Sequence, residues 1–239
     1  MAILNIAHRG ASGLFPENTL ASFLAAAEAG ANMCELDVQL TRDGTTAVIH
    51  DDTVDRTTNG KGLVSSFTLE EIQRLDAVSW RGSQFAGEQI PTLKHVVHAV
   101  AGRCGLNIEL KAPGVERVVA EIIRTEPGDF IVSCFEWKAL DAIRSIVPDV
   151  RIGLLGEEHP AGLIRAATEM RAHAVHPRYD MATADFCGEA HKAGLKVYVW
   201  TVDDAARMRT LCANGVDGIM TNWPDRLKQV LETDGAIRG

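Results

Sequence analysis

"ADFCGEAHKAGLKVYVWTVDDAARMRTLCANGVDGIMT", residues 184–221, reads as helix, strand, helix and strand in strict alternation. "ADFCGEAHKAG" has amphipathic spacing and stops at Gly194, and "LKVYVW" at 195–200 is a short apolar, β-branched run. "DDAARMRTLCANG" starts on Asp, whose carboxylate can accept from the free amides of a first helical turn, and stops at Gly215. "DGIMT" at 217–221 is the next strand. Strands joined through helices pair in parallel, by right-handed crossovers.

The same alternation extends back to the N-terminus. Further candidate strands lie at 3–7, 33–38, 46–50, 105–110, 129–134, 150–155 and 172–176. Candidate helices lie at 18–29, 92–101, 115–125, 136–146, 160–170, 183–193, 203–213 and 223–233, with Asn18 as the expected cap of the first. About eight strand–helix units predict an α/β fold closed into a (β/α)8 TIM barrel, a single catalytic domain over 1–239. The competing open, doubly wound sheet carries a GxGxxG turn after its first strand, and "HRGASG" is not one. Nine candidate strands exceed eight, so "MCELDV" or "TAVIH" must be an extension or a flanking strand. Residues 51–90 break the alternation, with "TLEEIQRL" as one short helical candidate. This stretch follows His50 at the C-terminal end of a strand, the face on which barrels build their sites, and is expected to form an inserted cap subdomain.

The 239 residues are 46% hydrophobic and 23% charged, a composition that suits a globular chain with a sizeable core. A net charge of −8 argues against a nucleic-acid surface, which needs clustered basic charge, but leaves room for a local positive pocket holding a small anion. The five cysteines are odd in number and contain no CxxC, as expected of reduced thiols in a cytoplasmic protein. No run approaches the ~20 apolar residues of a membrane span.

Charged residues collect where the strands end. Glu35 and Asp37 share one face of their strand, and Glu109 and Lys111 share a face of theirs, because side chains alternate with a period of two. Acids inside apolar strands are costly to bury alone. If these faces converge at the barrel mouth, the three carboxylates repel unless a cation sits among them, and an all-oxygen set suits Mg²⁺ or Ca²⁺ better than zinc. His8 and His50 each end a strand and precede a charged residue, which fits a general acid–base pair. Arg9 and Lys111 bring positive charge to the same place and can hold phosphate oxygens. Trp200 and Phe135, at strand ends, are candidate pocket walls, and His176 is a further candidate lining residue. GxSxG, HExxH and P-loop motifs are absent. Two histidines, an oxygen-ligand metal site and nearby Arg and Lys point to phosphoryl transfer or phosphodiester cleavage.

With HRG at 8–10, PENT at 16–19, ELD at 35–37, HD at 50–51 with RTT at 56–58, and ELK at 109–111, the chain resembles the glycerophosphodiester phosphodiesterases of the cytoplasmic bacterial type. "FAGEQIPTLKHVV", "AHKAGLKVYVWTVDD" and "GVDGIMTNWPD" follow in that family's order, so the resemblance runs from the first strand to the last helix. It implies a TIM barrel with a small insertion after the second barrel strand. It also implies metal-dependent hydrolysis of a small-molecule glycerophosphodiester to sn-glycerol 3-phosphate and an alcohol. By the same resemblance the metal ligands fall on Glu35, Asp37 and Glu109, the acid–base pair on His8 and His50, and the phosphate contacts on Arg9 and Lys111. The implied route uses the neighbouring glycerol hydroxyl as first nucleophile, through a cyclic phosphate that water then opens. Cys34, where an aliphatic residue is more usual, and "TNWPD", where an aspartate and another aromatic are commoner, depart from the pattern. A non-catalytic binding barrel would have lost a histidine or an acid, and a sugar-phosphate lyase or isomerase gives no account of HRG and PENT. The head group, the choice of Mg²⁺ or Ca²⁺, the division of labour between the histidines and the oligomeric state, a homodimer included, stay open at this level.

Overall fold

The computed structural model describes residues 3–77 and 81–237. Its strands are β1 (Leu4–His8), β2 (Met33–Leu40), β3 (Thr46–Val48), β4 (Gly105–Leu110), β5 (Phe130–Cys134), β6 (Arg151–Gly156), β7 (Ala174–Pro177), β8 (Lys196–Val199) and β9 (Gly218–Thr221). Its helices are α1 (Leu20–Glu28), α2 (Leu69–Gln73), α3 (Leu93–Val100), α4 (Val115–Thr125), α5 (Trp137–Ile146), α6 (Pro160–Glu169), α7 (Ala184–Lys192), α8 (Ala205–Asn214) and α9 (Pro224–Ile237). Among the described residues, eight parallel strands run β1-β9-β8-β7-β6-β5-β4-β2, and β1 pairs β2 to close the ring. The chain is a TIM barrel.

The period-two alternation divides the apolar residues into two cores. Side chains such as Cys34, Leu36, Val38, Leu106, Ile108, Val132, Ile152 and Val197 face outward and pack with the helices in one large buried layer. The alternate positions Ile6, Met33, Ile131, Ala174, Tyr198 and Met220 form a smaller plug inside the barrel. Several of the next inward positions toward the C-terminal ends are polar, among them His8, Glu35 and Asn107, which makes the plug the floor of a site. Gly153 on β6 has a structural reason to lack a side chain: a Cβ there would overlap the ring of His176 from β7.

The fold resolves one alternative that the sequence left open and corrects one expectation. "TAVIH" is not a barrel strand, since β3 stops at Val48 and pairs antiparallel with β2, Val38 opposite Val48 and Leu40 opposite Thr46. It is the returning arm of a hairpin, too short to carry a crossover helix, and it delivers His50 beyond its end. The cap of α1 is Thr19, not Asn18: Thr19 Oγ1 accepts from the Ser22 amide at 3.3 Å, and Ser22 Oγ accepts from the Thr19 amide at 3.3 Å. Asn18 instead adopts φ of 57°, which Asn tolerates better than most residues, and turns its amide to Asp37 Oδ2 at 2.9 Å. A buried carboxylate with few donors makes the larger demand on that side chain.

Between β3 and α3 the chain leaves the barrel. This excursion holds α2, capped by a reciprocal Thr68–Glu71 box, and short 3₁₀ turns. Its own apolar cluster comprises Ala47, Ile49, Val54, Val64, Ile72, Ala77 and Ile90. The amide of Val48 donates to Pro91 O at 2.9 Å, so the excursion leaves and returns at neighbouring points.

Candidate active site

β2 and β4 are paired in register with Asp37 opposite Glu109 and Glu35 opposite Asn107. This register, together with inward orientation, brings one oxygen from each of Glu35, Asp37 and Glu109 within 4.8 Å of one another. Glu35 and Asp37 are 2% and 1% exposed. Burial first, then the neighbouring charges of Asp37 and Glu109, pushes the Glu35 carboxyl well above the usual range. Burial and Asp37 likewise raise Glu109 to about 7, against the pull of Lys111. Glu35 Oε1 and Asp37 Oδ1 are buried with no hydrogen-bond partner. Buried carboxyl oxygens without hydrogen-bond partners, converging on one point, are what a hard divalent cation needs as ligands, so the donor set fits Mg²⁺ or Ca²⁺.

The two histidines flank this cluster and differ in what holds them. His8 Nδ1 lies 2.8 Å from Asn222 Oδ1, and the Asn222 amide nitrogen donates to Asp203 Oδ2 at 2.6 Å. A carboxylate can only accept, so Asp203 fixes which end of the amide meets His8, and Nδ1 must carry the proton. Nε2 is then a free lone pair, 3.9 Å from Glu35 Oε2. Burial, with Arg9 beside it, lowers the His8 pKa to about 4. His50 Nδ1 instead lies 2.7 Å from Asp51 Oδ1, a carboxylate partner that can only accept.

Arg9, at φ of 55° just past β1, donates its backbone amide to Glu35 Oε2 at 3.0 Å. Its guanidinium reaches Glu17 Oε1 at 2.9 Å and Asp37 Oδ2 at 3.2 Å. Lys111 Nζ meets Glu109 Oε1 at 2.8 Å and stands 3.8 Å from Asp37 Oδ1. Burial opposes the charge on both groups, but the surrounding carboxylates hold both pKa values above their ordinary values. The cavity over the cluster measures about 110 Å³, and His8, Glu35, His50, Glu109, Lys111 and Trp200 are among its lining residues. Phe135, 41% exposed, also lines it and packs edge-on against Trp200 with ring centroids 5.5 Å apart. Trp200 is anchored through Nε1 to His176 O at 2.7 Å. Nine of the ten residues singled out in the sequence (His8, Arg9, Glu35, Asp37, His50, Glu109, Lys111, Phe135 and Trp200) gather at one mouth. His176 does not line that cavity. It is fully buried beneath, with neither ring nitrogen hydrogen-bonded, and contributes its carbonyl to Trp200.

Sequence reasoning passed over Asn222, Asp203, Asn107 and Arg56 as site residues. Asn222 follows the last strand and Asn107 sits two residues before Glu109 on its inward face, so position alone could have marked both. Arg56 opens the RTT stretch of the family resemblance but had no role attached to it, and Asp203 carries no mark, because only the folded loops bring it to Asn222.

The sequence profile of the glycerophosphoryl diester phosphodiesterase family matches residues 8–226. The chain is 42% identical to a glycerophosphodiester phosphodiesterase of Caldanaerobacter subterraneus subsp. tengcongensis, over 98% of this chain and 100% of that protein. It is 33% identical to one from Bacillus subtilis, over 95% and 86% of the two chains. Among solved structures, a phosphodiesterase from Oleispira antarctica in complex with the product sn-glycerol-3-phosphate superposes with a TM-score of 0.91, at 31% identity over 95% of this chain and 96% of that one. A glycerophosphodiester phosphodiesterase from Agrobacterium tumefaciens superposes with a TM-score of 0.85, at 31% identity over 96% and 100%.

Proposed function

The chain belongs to the glycerophosphoryl diester phosphodiesterase family and is an enzyme of that class, and from that premise we propose a specific reaction and division of roles. The substrate is a glycerophosphodiester, and the products are sn-glycerol 3-phosphate and an alcohol. Glu35, Asp37 and Glu109 hold Mg²⁺ or Ca²⁺, and His8 and His50 move the protons. The observation that carries this reading is the convergence of three carboxylates, two of them with unpartnered buried oxygens, between two imidazoles held by unlike partners.

The unlike partners divide the labour. His8 donates Nδ1–H to Asn222 and offers Nε2 as a lone pair, so it takes the proton of the glycerol hydroxyl next to the phosphate. The oxygen so freed attacks phosphorus. His50, oriented through Nδ1 by the Asp51 carboxylate, acts as the general acid and gives Nε2–H to the departing alcohol oxygen. The resulting cyclic phosphate is opened by water, with the two imidazoles exchanging roles. A divalent cation, when bound, supplies fixed positive charge to the phosphate oxygens and the attacking hydroxyl. Arg9 and Lys111 sit on the rim of the acidic cluster and share their charge between those acids and the incoming phosphate. Phe135 and Trp200 wall the opposite side of the cavity against the carbon skeleton. Within 51–90, the described residues 51–77 and 81–90 serve as the cap of this mouth, a subdomain of the single catalytic domain, and 78–80 lie outside the described residues.

Release of sn-glycerol 3-phosphate from glycerophosphocholine tests the reading. Wild type is expected to be active with added Mg²⁺ or Ca²⁺ and silent in EDTA, and His8→Ala and His50→Ala to lose activity by a factor of about 10² or more. Turnover that persists in EDTA and in both histidine variants would sink it.

A further inference from the structure

We infer that Arg56, on the excursion outside the barrel, is a positioning residue that ties the general acid and the phosphate arm into one frame. The inference rests on the proposed role of His50. Arg56 follows shortly after His50 and Asp51 in the chain, and nothing in the proposed chemistry uses it. Yet its guanidinium is a fork for two carboxylates at once. Nη1 donates to Glu17 Oε2 at 2.8 Å and Nη2 to Glu17 Oε1 at 2.7 Å. Nε donates to Asp51 Oδ2 at 2.8 Å and Nη2 to Asp51 Oδ1 at 3.0 Å.

Each of those carboxylates has a second duty. Asp51 Oδ1 also meets His50 Nδ1 at 2.7 Å, and Glu17 Oε1 also accepts from Arg9 Nη1 at 2.9 Å. The chain of contacts thus runs His50–Asp51–Arg56–Glu17–Arg9, from one side of the mouth to the other. Arg56 itself is 45% exposed, and an ordinary ion pair at that exposure contributes little to stability. A planar fork that satisfies both oxygens of two carboxylates differs, because it fixes their rotation as well as their charge. Without it Asp51 is free to turn about its own side-chain bond, and the imidazole it orients turns with it. Burial would raise the Glu17 pKa, but Arg56 and Arg9 bring it down to about 2, so Glu17 stays ionised and holds Arg9 throughout the working range.

A lysine can reach one of these oxygens but cannot bracket four. Arg56→Lys and Arg56→Ala are therefore both expected to lower kcat by about 10- to 100-fold, the usual loss when a group that orients an active side chain is removed, with little change in KM. Added guanidinium ion is expected to restore part of the kcat of Arg56→Ala while leaving wild type unchanged. Guanidinium weakens a loosened fold, so recovery reads the placement of the fork and not a general repair. Melting temperatures of both variants are measured alongside. A kcat within about twofold of wild type in either variant, or a loss that guanidinium does not reverse in a variant that melts like wild type, overturns the inference alone. A wild type without cation-dependent release, or His50→Ala with full activity, overturns the reading of the site and this inference with it.

Discussion

Asn222 and Asp51 give His8 and His50 unlike partners at Nδ1, an amide oxygen for one and a carboxylate for the other. Replacing Asn222 with Asp would put a carboxylate against His8 Nδ1, stabilise the imidazolium and raise a pKa that now stands at about 4. A base must be neutral to act, so the acid limb of the pH dependence of kcat/KM is expected to move to higher pH in Asn222→Asp, read from a full pH–rate profile. The three carboxylates support a second prediction at this scale. They repel one another when no cation is bound, so Glu35→Gln is expected to raise the melting temperature in EDTA while abolishing activity. The rise is about 2–4 °C for each kcal/mol of repulsion relieved. A lower melting temperature in EDTA would show that Glu35 is held by partners in the protein and not by a cation.

At the scale of the element, the hairpin β2–β3 and the excursion after it decide where His50 stands. Gln39 on β2 donates to His50 O at 3.3 Å and to Asp52 Oδ1 at 3.0 Å, which fixes the backbone on both sides of Asp51. The excursion depends on a cluster of few residues, with Ile72 of the five-residue helix α2 fully buried at its centre. Ile72→Ala is expected to cost about 2–4 kcal/mol in that unit, seen as faster amide exchange over 49–77 with the barrel strands unchanged. Activity should fall with it, because the cluster holds the chain that carries Asp51 and Arg56. "TLEEIQRL" was legible as a short helix because its Thr cap and Glu three residues on are local signals. The hairpin was not, because a run such as "TAVIH" looks alike whether it pairs in parallel or antiparallel.

Across the whole molecule, the ring must close, and the last strands show what secures it. Asp217 leads into β9 and accepts from Lys196 Nζ at 2.8 Å and from the Val197 amide at 3.0 Å, with His191 Nε2 2.7 Å away. Burial opposes ionisation there, but these partners hold the Asp217 carboxyl below its ordinary value, as Arg56 and Arg9 do for Glu17. A carboxylate whose folded pKa lies below its unfolded value stabilises the fold fully above the unfolded value. That contribution is lost as pH falls through the folded one. For Glu17 the window runs from 4.5 down to about 2. Acid unfolding followed by circular dichroism is expected to show stability falling across this range. Glu17→Gln is expected to lower stability at neutral pH and to flatten the slope below pH 4.5. An unchanged slope would mean that the Glu17 ion pairs do not contribute to stability.

The sequence by itself determined the barrel, its polar mouth and the nine residues gathered there. Those follow from local rules: alternation places side chains in or out of a strand, caps and glycines stop helices, and strand ends in a barrel share one face. HRG, ELD, HD and ELK each lie within two or three residues, so their meaning survives without the fold. Only the tertiary structure decided the rest. It set Thr19 and not Asn18 as the cap, because Asp37, distant in sequence, claims the Asn18 amide. It turned "TAVIH" into a hairpin arm, paired antiparallel with the C-terminal end of β2. It also assigned Asn222 to one histidine and Asp51, braced by Arg56, to the other. The Asn18–Asp37 and His8–Asn222 contacts join residues far apart along the chain, and no local pattern can encode a partner that arrives only on folding.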